Sequence, residues 1–254
     1  MDWDQRGRLS VFGICLAVAI SGFILGLAIV IVGLNILAAT GIAITPVILL
    51  TANFIALQGI AFPVVATIYL LLVDPAFRII SIRIPSFTDI EFAIGSFVLA
   101  FVAAIVFSII ISTTGSETAS NQAAEIALEN PWIIPYLIPA MLLIVGPGEE
   151  LLYRGVLQGT FRQKFNKWPS ILLANLLFAP AHVPALQGSI QAVFLTISFL
   201  TLPGIIFGYA YERTENLIVP ALAHGLYNAT LFGLIYLSIR YGGSTSMIAP
   251  PPLL

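Results

Sequence analysis

The chain has 254 residues, of which 59% are hydrophobic and only 9% are charged, and its mean hydropathy is +1.03. A water-soluble fold of this size cannot bury so much apolar surface, so the composition predicts a membrane protein. Ten Lys and Arg residues against twelve Asp and Glu residues exclude a basic surface that binds nucleic acid. The lone cysteine, Cys15, excludes a disulfide framework and a cysteine-rich zinc site.

The distribution of charge predicts an all-α, polytopic bundle of about seven transmembrane helices. One crossing needs about 20 apolar residues, and residues 9–73 contain no Asp, Glu, Lys or Arg. We assign two spans to this stretch, although three short ones would bring the total to eight. The predicted spans are 9–39, 44–73, 92–114, one long proline-kinked helix over 131–165, 168–183, 190–211 and 217–239.

Three regions are expected along the chain. Residues 1–130 hold the N-terminal helices and an acidic outer loop, residues 131–240 form the transmembrane core, and residues 241–254 form a disordered, proline-rich tail. We expect a short surface helix in the middle of the loop over 115–130. With the N-terminus in the cytoplasm, most Lys and Arg residues fall at cytoplasmic segments, as the positive-inside rule requires. This predicts a multi-pass protein of the cell membrane.

Five acidic, basic or histidine side chains of the second half of the chain lie at bilayer depth, away from the basic ends of the predicted spans. They are Glu149, Glu150, Arg154, His182 and His224, and the two histidines are the only ones in the sequence. Such groups are costly inside a membrane and by default mark a functional site. Counted from the basic ends of their helices, Glu149, His182 and His224 lie about 16–22 Å along the helix axis. A common depth on three helices indicates one site.

The local spacings suggest what each group could do. Glu150 and Arg154 are four residues apart, so they share a helix face and can form a charge-assisted pair, whereas Glu149 points about 100° away. His224 and Asn228 have the same spacing. A carboxylate, imidazoles and an amide in a hydrated cavity supply a general base, proton carriers and oxyanion donors. The alternative for each is structural, as a hydrogen-bonding contact between packed helices.

A metal site is also compatible with these residues. Glu149, His182 and His224 match the ligand set of a catalytic zinc ion that keeps one open position. The residues alone therefore leave zinc-dependent and metal-free chemistry both open, and no cofactor is certain from the sequence.

Three motifs resemble those of a known family, the CPBP intramembrane proteases, which include the type II CAAX prenyl endopeptidases and the Abi group of bacteriocin-processing proteins. EELLYRG at 149–155 resembles the EExxxR(G) motif, FAPAH at 178–182 resembles FxxxH, and HGLYN at 224–228 resembles HxxxN. The resemblance covers about residues 131–235. Pro180 is a departure from the pattern, because it removes a helical hydrogen bond and should bend the fifth predicted span.

The resemblance implies a role for each motif residue. Glu149 would be the general base that activates a water molecule, and His182 would help to hold that water. His224 and Asn228 would stabilise the oxyanion on the scissile carbonyl. Glu150 and Arg154 would order the site. Family members are described both as metalloproteases and as metal-independent glutamate proteases.

We therefore expect an intramembrane endopeptidase that hydrolyses a peptide bond without a covalent intermediate. Its substrate would be a membrane protein or a lipid-associated peptide in the bilayer, and no nucleic acid would take part. One alternative is a non-catalytic scaffold or regulator of the same fold. Another is a proton-coupled transporter, which requires a second set of polar or broken helices in the first half. The charge-free stretch 9–73 offers no such set.

Overall fold

The computed structural model describes residues 3, 5–74 and 76–241, and over these residues it is a bundle of eight helices. This confirms the all-α, polytopic class. The helices are α1 (Arg8–Ala39), α2 (Pro46–Val73), α3 (Phe87–Thr114), α4 (Gln122–Glu129), α5 (Pro131–Arg162), α6 (Lys167–Phe178), α7 (Ile190–Thr214) and α8 (Ile218–Tyr241). The short helix expected within 115–130 is α4. Of the tail predicted over residues 241–254, Tyr241 is the last residue of α8, and residues 242–254 lie outside the described residues.

Six of these helices are long and apolar enough to cross a membrane: α1, α2, α3, α5, α7 and α8. The span predicted over 168–183 is not a regular helix, because α6 has only 12 residues, or about 18 Å of α-helix. A 3-10 segment, Ala179–Ala185, follows it. Pro180 and Pro184 explain the change, since each lacks the N–H that an α-helix would use at that position. Of the about seven spans that the sequence predicts, six are therefore long apolar helices in the described residues, and the one predicted over 168–183 is a short helix followed by a 3-10 segment.

The short helix α6 and the 3-10 segment after it, residues 167–185, nevertheless run from one end of the bundle to the other. At one end, the strand β1 (Ser120–Asn121) pairs antiparallel with β2 (Leu186–Gln187), which directly follows the 3-10 segment. At the other end, the backbone N–H of Leu217 donates to the carbonyl oxygen of Ser81 at 2.9 Å. We call these the acidic end (residues 115–121 and 186–189) and the basic end (residues 76–86, 163–166 and 215–217).

The third helix begins earlier than the hydropathy pattern predicts. It starts at Phe87 rather than at residue 92, because Ser86 and Asp89 form a reciprocal capping box that satisfies two backbone N–H groups. Arg83 donates to Asp89 at 2.9 Å. Polar capping thus extends the helix beyond its apolar stretch at the basic end.

Two helices determine where the site lies. α8 is the most enclosed of the long helices, with 67% of its most apolar window buried against 17% for α3. α5 contains two π-helical segments, Met141–Val145 and Leu151–Gln158. Gly146 brings the two helices together, because a Cβ atom there would lie 2.9 Å from the carbonyl oxygen of Ala221 on α8.

Candidate active site

The two carboxylates of the first motif lie on α5 between its π-helical segments. The stretch Gly146–Glu150 is α-helical, with one π segment before it and another after it. A π segment adds a residue to the helical turn, and such bulges frequently occur at functional sites. Here they flank Glu149 and Glu150 on both sides.

Glu149 has one carboxylate oxygen that is hydrogen-bonded and one that is not. The residue is only 6% exposed, and its Oε1 accepts a hydrogen bond from Nε2 of Gln58 in α2 at 3.2 Å. Its Oε2 has no hydrogen-bond partner within the described part of the chain. The Nε2 atoms of His182 and His224 lie 3.9 and 3.8 Å from this oxygen. The structure therefore brings together the carboxylate and the two imidazoles that the sequence singles out.

The proline within the second motif directs His182 toward the site. His182 lies on the 3-10 segment that replaces the α-helix beyond Phe178, where Pro180 removes a helical hydrogen bond. Its Nδ1 lies 3.1 Å from the carbonyl oxygen of Phe178. Because a carbonyl oxygen only accepts, Nδ1 donates, and in the neutral ring Nε2 keeps its lone pair. That lone pair is on the side of Glu149.

His224 on α8 contacts both carboxylates of α5. The residue is completely buried, and its Nδ1 lies 2.8 Å from Oε1 of Glu150. An ionised carboxylate only accepts, so Nδ1 donates and the lone pair of the neutral ring is at Nε2, which faces Glu149. Although adjacent residues of a regular helix point about 100° apart, Glu149 and Glu150 reach opposite nitrogens of the same ring.

The ion pair expected between Glu150 and Arg154 is present and buried. Nε of Arg154 lies 3.2 Å from Oε2 of Glu150, and both side chains are at most 2% exposed. Arg154 also donates to the carbonyl oxygen of Gly204 on α7 at 3.0 Å, and its guanidinium lies 4.1 Å from the ring centroid of Phe178. The pair thus connects α5 with α6, α7 and, through Glu150, with His224.

Asn228 lies one helical turn after His224 and is 1% exposed. Neither its Oδ1 nor its Nδ2 has a hydrogen-bond partner among the residues described. An unpaired amide in a protein interior is costly, so buried polar atoms without a partner need an explanation. A side chain reserved for a bound ligand is one such explanation.

A cavity of about 400 Å³ borders the site. Its lining includes Glu149, His182 and Gln58, together with apolar side chains of α1, α2 and α5. It extends to residues 121–123 and 184–185, which lie beside the paired strands at the acidic end. His224 and Asn228 are not part of this lining. Glu149 and His182 are therefore the motif residues with direct access to the cavity.

Gln58 and Tyr153 line the cavity and are not among the site residues that the sequence predicts, and the same is true of Asn53, Asn121 and Gln122. Gln58 carries no charge and belongs to none of the motifs, and a tyrosine such as Tyr153 is expected only to pack. The Tyr153 ring does pack edge-on against Phe178, with centroids 5.0 Å apart, but its hydroxyl is buried without a partner in the described chain. The available signal for Gln58 is its position inside the charge-free stretch 9–73, where polar side chains are rare.

Glu149, His182 and His224 are not arranged as the ligands of a metal ion. No group of three His, Cys, Asp or Glu side chains within residues 3, 5–74 and 76–241 is arranged to hold a metal ion. The donor atoms of Glu149, His182 and His224 are of the right kind, but they are 3.8 and 3.9 Å apart. Tetrahedral zinc, with bonds of about 2.0–2.1 Å, would bring them to about 3.3 Å. As placed, these residues do not fit the ion, and we derive no step through it.

The fold and the site together define a multi-pass membrane protein with a carboxylate and two imidazoles buried between its helices. Residues 131–230 match the family model described as type II CAAX prenyl endopeptidase Rce1-like. The match includes all three motifs and confirms their resemblance to the CPBP family over this region, which supports a protease of the CAAX type. No curated protein and no solved structure matches the chain.

Proposed function

We propose that the protein is an intramembrane endopeptidase in which Glu149 activates a water molecule for attack on a peptide bond. One observation carries this proposal: Oε2 of Glu149 is buried and unpaired within the described chain, and it lies 3.9 and 3.8 Å from two imidazole nitrogens. Buried polar atoms are normally paired. Oε2 of Glu149 and the Nε2 atoms of the two histidines are acceptors that face one another. A ligand that donates hydrogen bonds would satisfy them.

Water is the donor that fits the proposed reaction. It can give one proton to Oε2 of Glu149 and the other to Nε2 of His182, at about 2.8 Å from each. These two hydrogen bonds orient its lone pair toward the cavity, which both residues border. A water held by a carboxylate and an imidazole is prepared for general base catalysis, which contributes about 10²–10⁴-fold to the rate.

The water, the substrate and the Glu149 carboxylate together account for every proton and bond in the reaction. The water oxygen bonds to the carbonyl carbon of the scissile peptide while Oε2 of Glu149 takes its proton. The carbonyl oxygen becomes an oxyanion, and the C–N bond breaks as Glu149 returns the proton to the leaving nitrogen. No Ser or Cys is needed as a nucleophile, and the lone Cys15 lies on α1, away from the lining of the cavity.

We assign His224 and Asn228 to stabilisation of the oxyanion, as the family resemblance implies. The Glu150 carboxylate accepts a hydrogen bond from Nδ1 of His224 and so fixes the orientation of the ring, in the way that the aspartate of a catalytic triad orients its histidine. Asn228 has an unpaired Nδ2 that can donate to the oxyanion, and His224 would donate from Nε2 once that nitrogen carries a proton. Oxyanion donors of this kind are worth about 10²–10³ in rate. Glu150 and Arg154 order the site in this account.

The substrate is proposed to be a membrane protein or a lipid-associated peptide that reaches Glu149 through the cavity. Comparison of newly formed N-termini in cell membranes tests this for any cleaved sequence, because every cut creates a new N-terminus. Membranes with the unmodified protein should contain N-termini that are absent with Glu149→Gln at equal protein level. If the two sets are identical, the protease assignment fails, and a scaffold or regulator is favoured.

We also propose that the protein lies in the cell membrane and that its N-terminus is in the cytoplasm. Arg83, Arg162 and Arg213 lie at or beside the basic end, which the positive-inside rule assigns to the cytoplasm. Single cysteines at exposed positions test this in a Cys15→Ala background. A membrane-impermeant maleimide should label Glu117→Cys in intact cells and Gln163→Cys only after permeabilisation. The reverse pattern would invert the topology.

A further inference from the structure

Glu149 is hydrogen-bonded to a residue that lies outside the region matched by the family model. Gln58 is on α2, within the π-helical segment Phe54–Ala61, and is 8% exposed, whereas the family match begins at residue 131. We infer that Gln58 is a positioning residue that fixes the orientation of the Glu149 carboxylate. This inference rests on the proposed function, because it assigns Gln58 a role through the general base.

The chemistry of the contact determines which oxygen of Glu149 can act. An ionised carboxylate only accepts hydrogen bonds, so the amide group facing it must be the Nε2 donor of Gln58. This bond of 3.2 Å holds Oε1, which leaves Oε2 toward the imidazoles of His182 and His224. The terminal torsion of a glutamate is broad. Without the donor, the carboxylate would rotate and its reactive oxygen would be less well placed.

The backbone is shaped to make this contact. A Cβ atom at Gly148 would collide with the carbonyl group of Gln58, so α2 and α5 approach backbone to backbone at this position. Next to it, a Cβ atom at Gly59 would lie 3.2 Å from Cγ2 of Ile144. The close approach places the side chain of residue 58 directly opposite Glu149. The N-terminal helices therefore complete the site instead of only surrounding it.

The substitution Gln58→Met tests the inference, because it keeps the length of the side chain and removes the donor. Gln158→Met is the matched control: Gln158 is also a buried glutamine, but its Nε2 donates to Gly208 and Glu212 and it does not line the cavity. Rates are measured with a peptide that spans a cleavage site mapped through the Glu149-dependent N-termini. We expect Gln58→Met to lower kcat about 10- to 100-fold and to leave KM within about 2-fold.

The control variant, Gln158→Met, should lose stability but keep its catalytic rate. Gln158→Met should lower the midpoint of thermal unfolding but leave kcat of the folded protein within about 2-fold, because its amide acts at a distance from the reacting atoms. If kcat of Gln58→Met equals that of the unmodified protein, or falls only as much as kcat of Gln158→Met, Gln58 has no positioning role. That result leaves the proposed function intact, since the latter fails only if Glu149→Gln still cleaves.

A double-mutant cycle provides a readout that needs no substrate. Unfolding temperatures are measured for Gln58→Met, Glu149→Ala and the double variant, because alanine at 149 removes the acceptor that a glutamine would keep. If the two side chains are coupled, the losses of the single variants should not add up to the loss of the double variant. Additive losses would contradict a direct interaction between them.

Discussion

Oε1 of Glu150 lies 2.8 Å from Nδ1 of His224, and both side chains are completely buried. On the opposite side of the same imidazole, Nε2 faces Oε2 of Glu149 at 3.8 Å. One ring therefore lies between two carboxylates: that of Glu150, which also forms an ion pair with Arg154 at 3.2 Å, and that of Glu149, which has no such cation beside it in the described part of the chain. In this arrangement, the second glutamate of the motif supports the histidine and the first is left for chemistry.

The buried ion pair between Glu150 and Arg154 should stabilise the fold. Arg154→Met should destabilise the protein by about 3–5 kcal/mol, because it leaves the buried Glu150 carboxylate without its guanidinium partner. Thermal unfolding in detergent measures this effect. Arg78→Met is the matched control, since the Arg78 side chain is 83% exposed beside Asp74 and such pairs contribute about 1 kcal/mol or less. Equal losses for the two variants would contradict a structural role for the buried pair.

The two histidines should respond differently to removal of the ring. His182→Ala should lower the cleavage rate by about 10²–10⁴-fold with little change in unfolding temperature, because the ring hydrogen-bonds locally, to the carbonyl oxygen of Phe178 at the start of its own 3-10 segment, and borders the cavity. His224→Ala should lower both rate and stability, since it removes a buried partner of Glu150. Parallel measurements of rate and unfolding temperature separate the two effects. A stable, inactive His224→Ala would show that Glu150 does not depend on it.

Contact between α2 and α5 should be sensitive to a single methyl group. Gly148→Ala should cost about 1–3 kcal/mol through overpacking and should also lower the cleavage rate, because it moves Gln58 away from Glu149. Gly33→Ala on α1 is the control, since nothing lies within 4 Å of the added Cβ atom. There the stability should be unchanged or raised by up to about 1 kcal/mol. Full activity of Gly148→Ala would show that the close approach is not required.

Most residues of the site could be predicted from the sequence, because charged and histidine side chains stand out within apolar spans. Charged groups within apolar spans are rare, and this singles out Glu149, Glu150 and Arg154. The spacing of Glu150 and Arg154 predicts their contact, since residues four apart meet on a helix. The hydrogen bond between His224 and Glu150 could not be predicted, because it depends on how α8 packs against a helix with π segments.

Other features leave no local signal in the sequence. Gln58 is uncharged, and its importance arises from a contact across 91 residues of chain. The π segments of α5 have no counterpart in the helical periodicity of the sequence. Pro180 indicates a break in the fifth span, but the direction of the break depends on tertiary packing. Hydropathy cannot show that residues 167–185 form a short helix and a 3-10 segment, because their sequence is apolar in the same way as that of a regular span.

A chelator experiment tests whether the reaction proceeds without a metal-dependent step. Because the donor atoms of Glu149, His182 and His224 are spaced more widely than tetrahedral zinc requires, cleavage by the purified protein should persist after treatment with a zinc chelator. Metal analysis of the same preparation accompanies the rate measurement. Loss of cleavage on chelation, with recovery on addition of zinc, would contradict this prediction and require the three side chains to close around the ion.

The most direct test of the account is the cleavage rate of purified Glu149→Gln in liposomes. This substitution keeps the shape of the side chain and removes the base, so the rate should fall by at least about 10²-fold while the unfolding temperature stays close to that of the unmodified protein. Glu117→Gln, at an exposed position between α3 and β1, is the control and should cleave normally. Cleavage by Glu149→Gln at the normal rate would contradict the central claim that this carboxylate activates the attacking water.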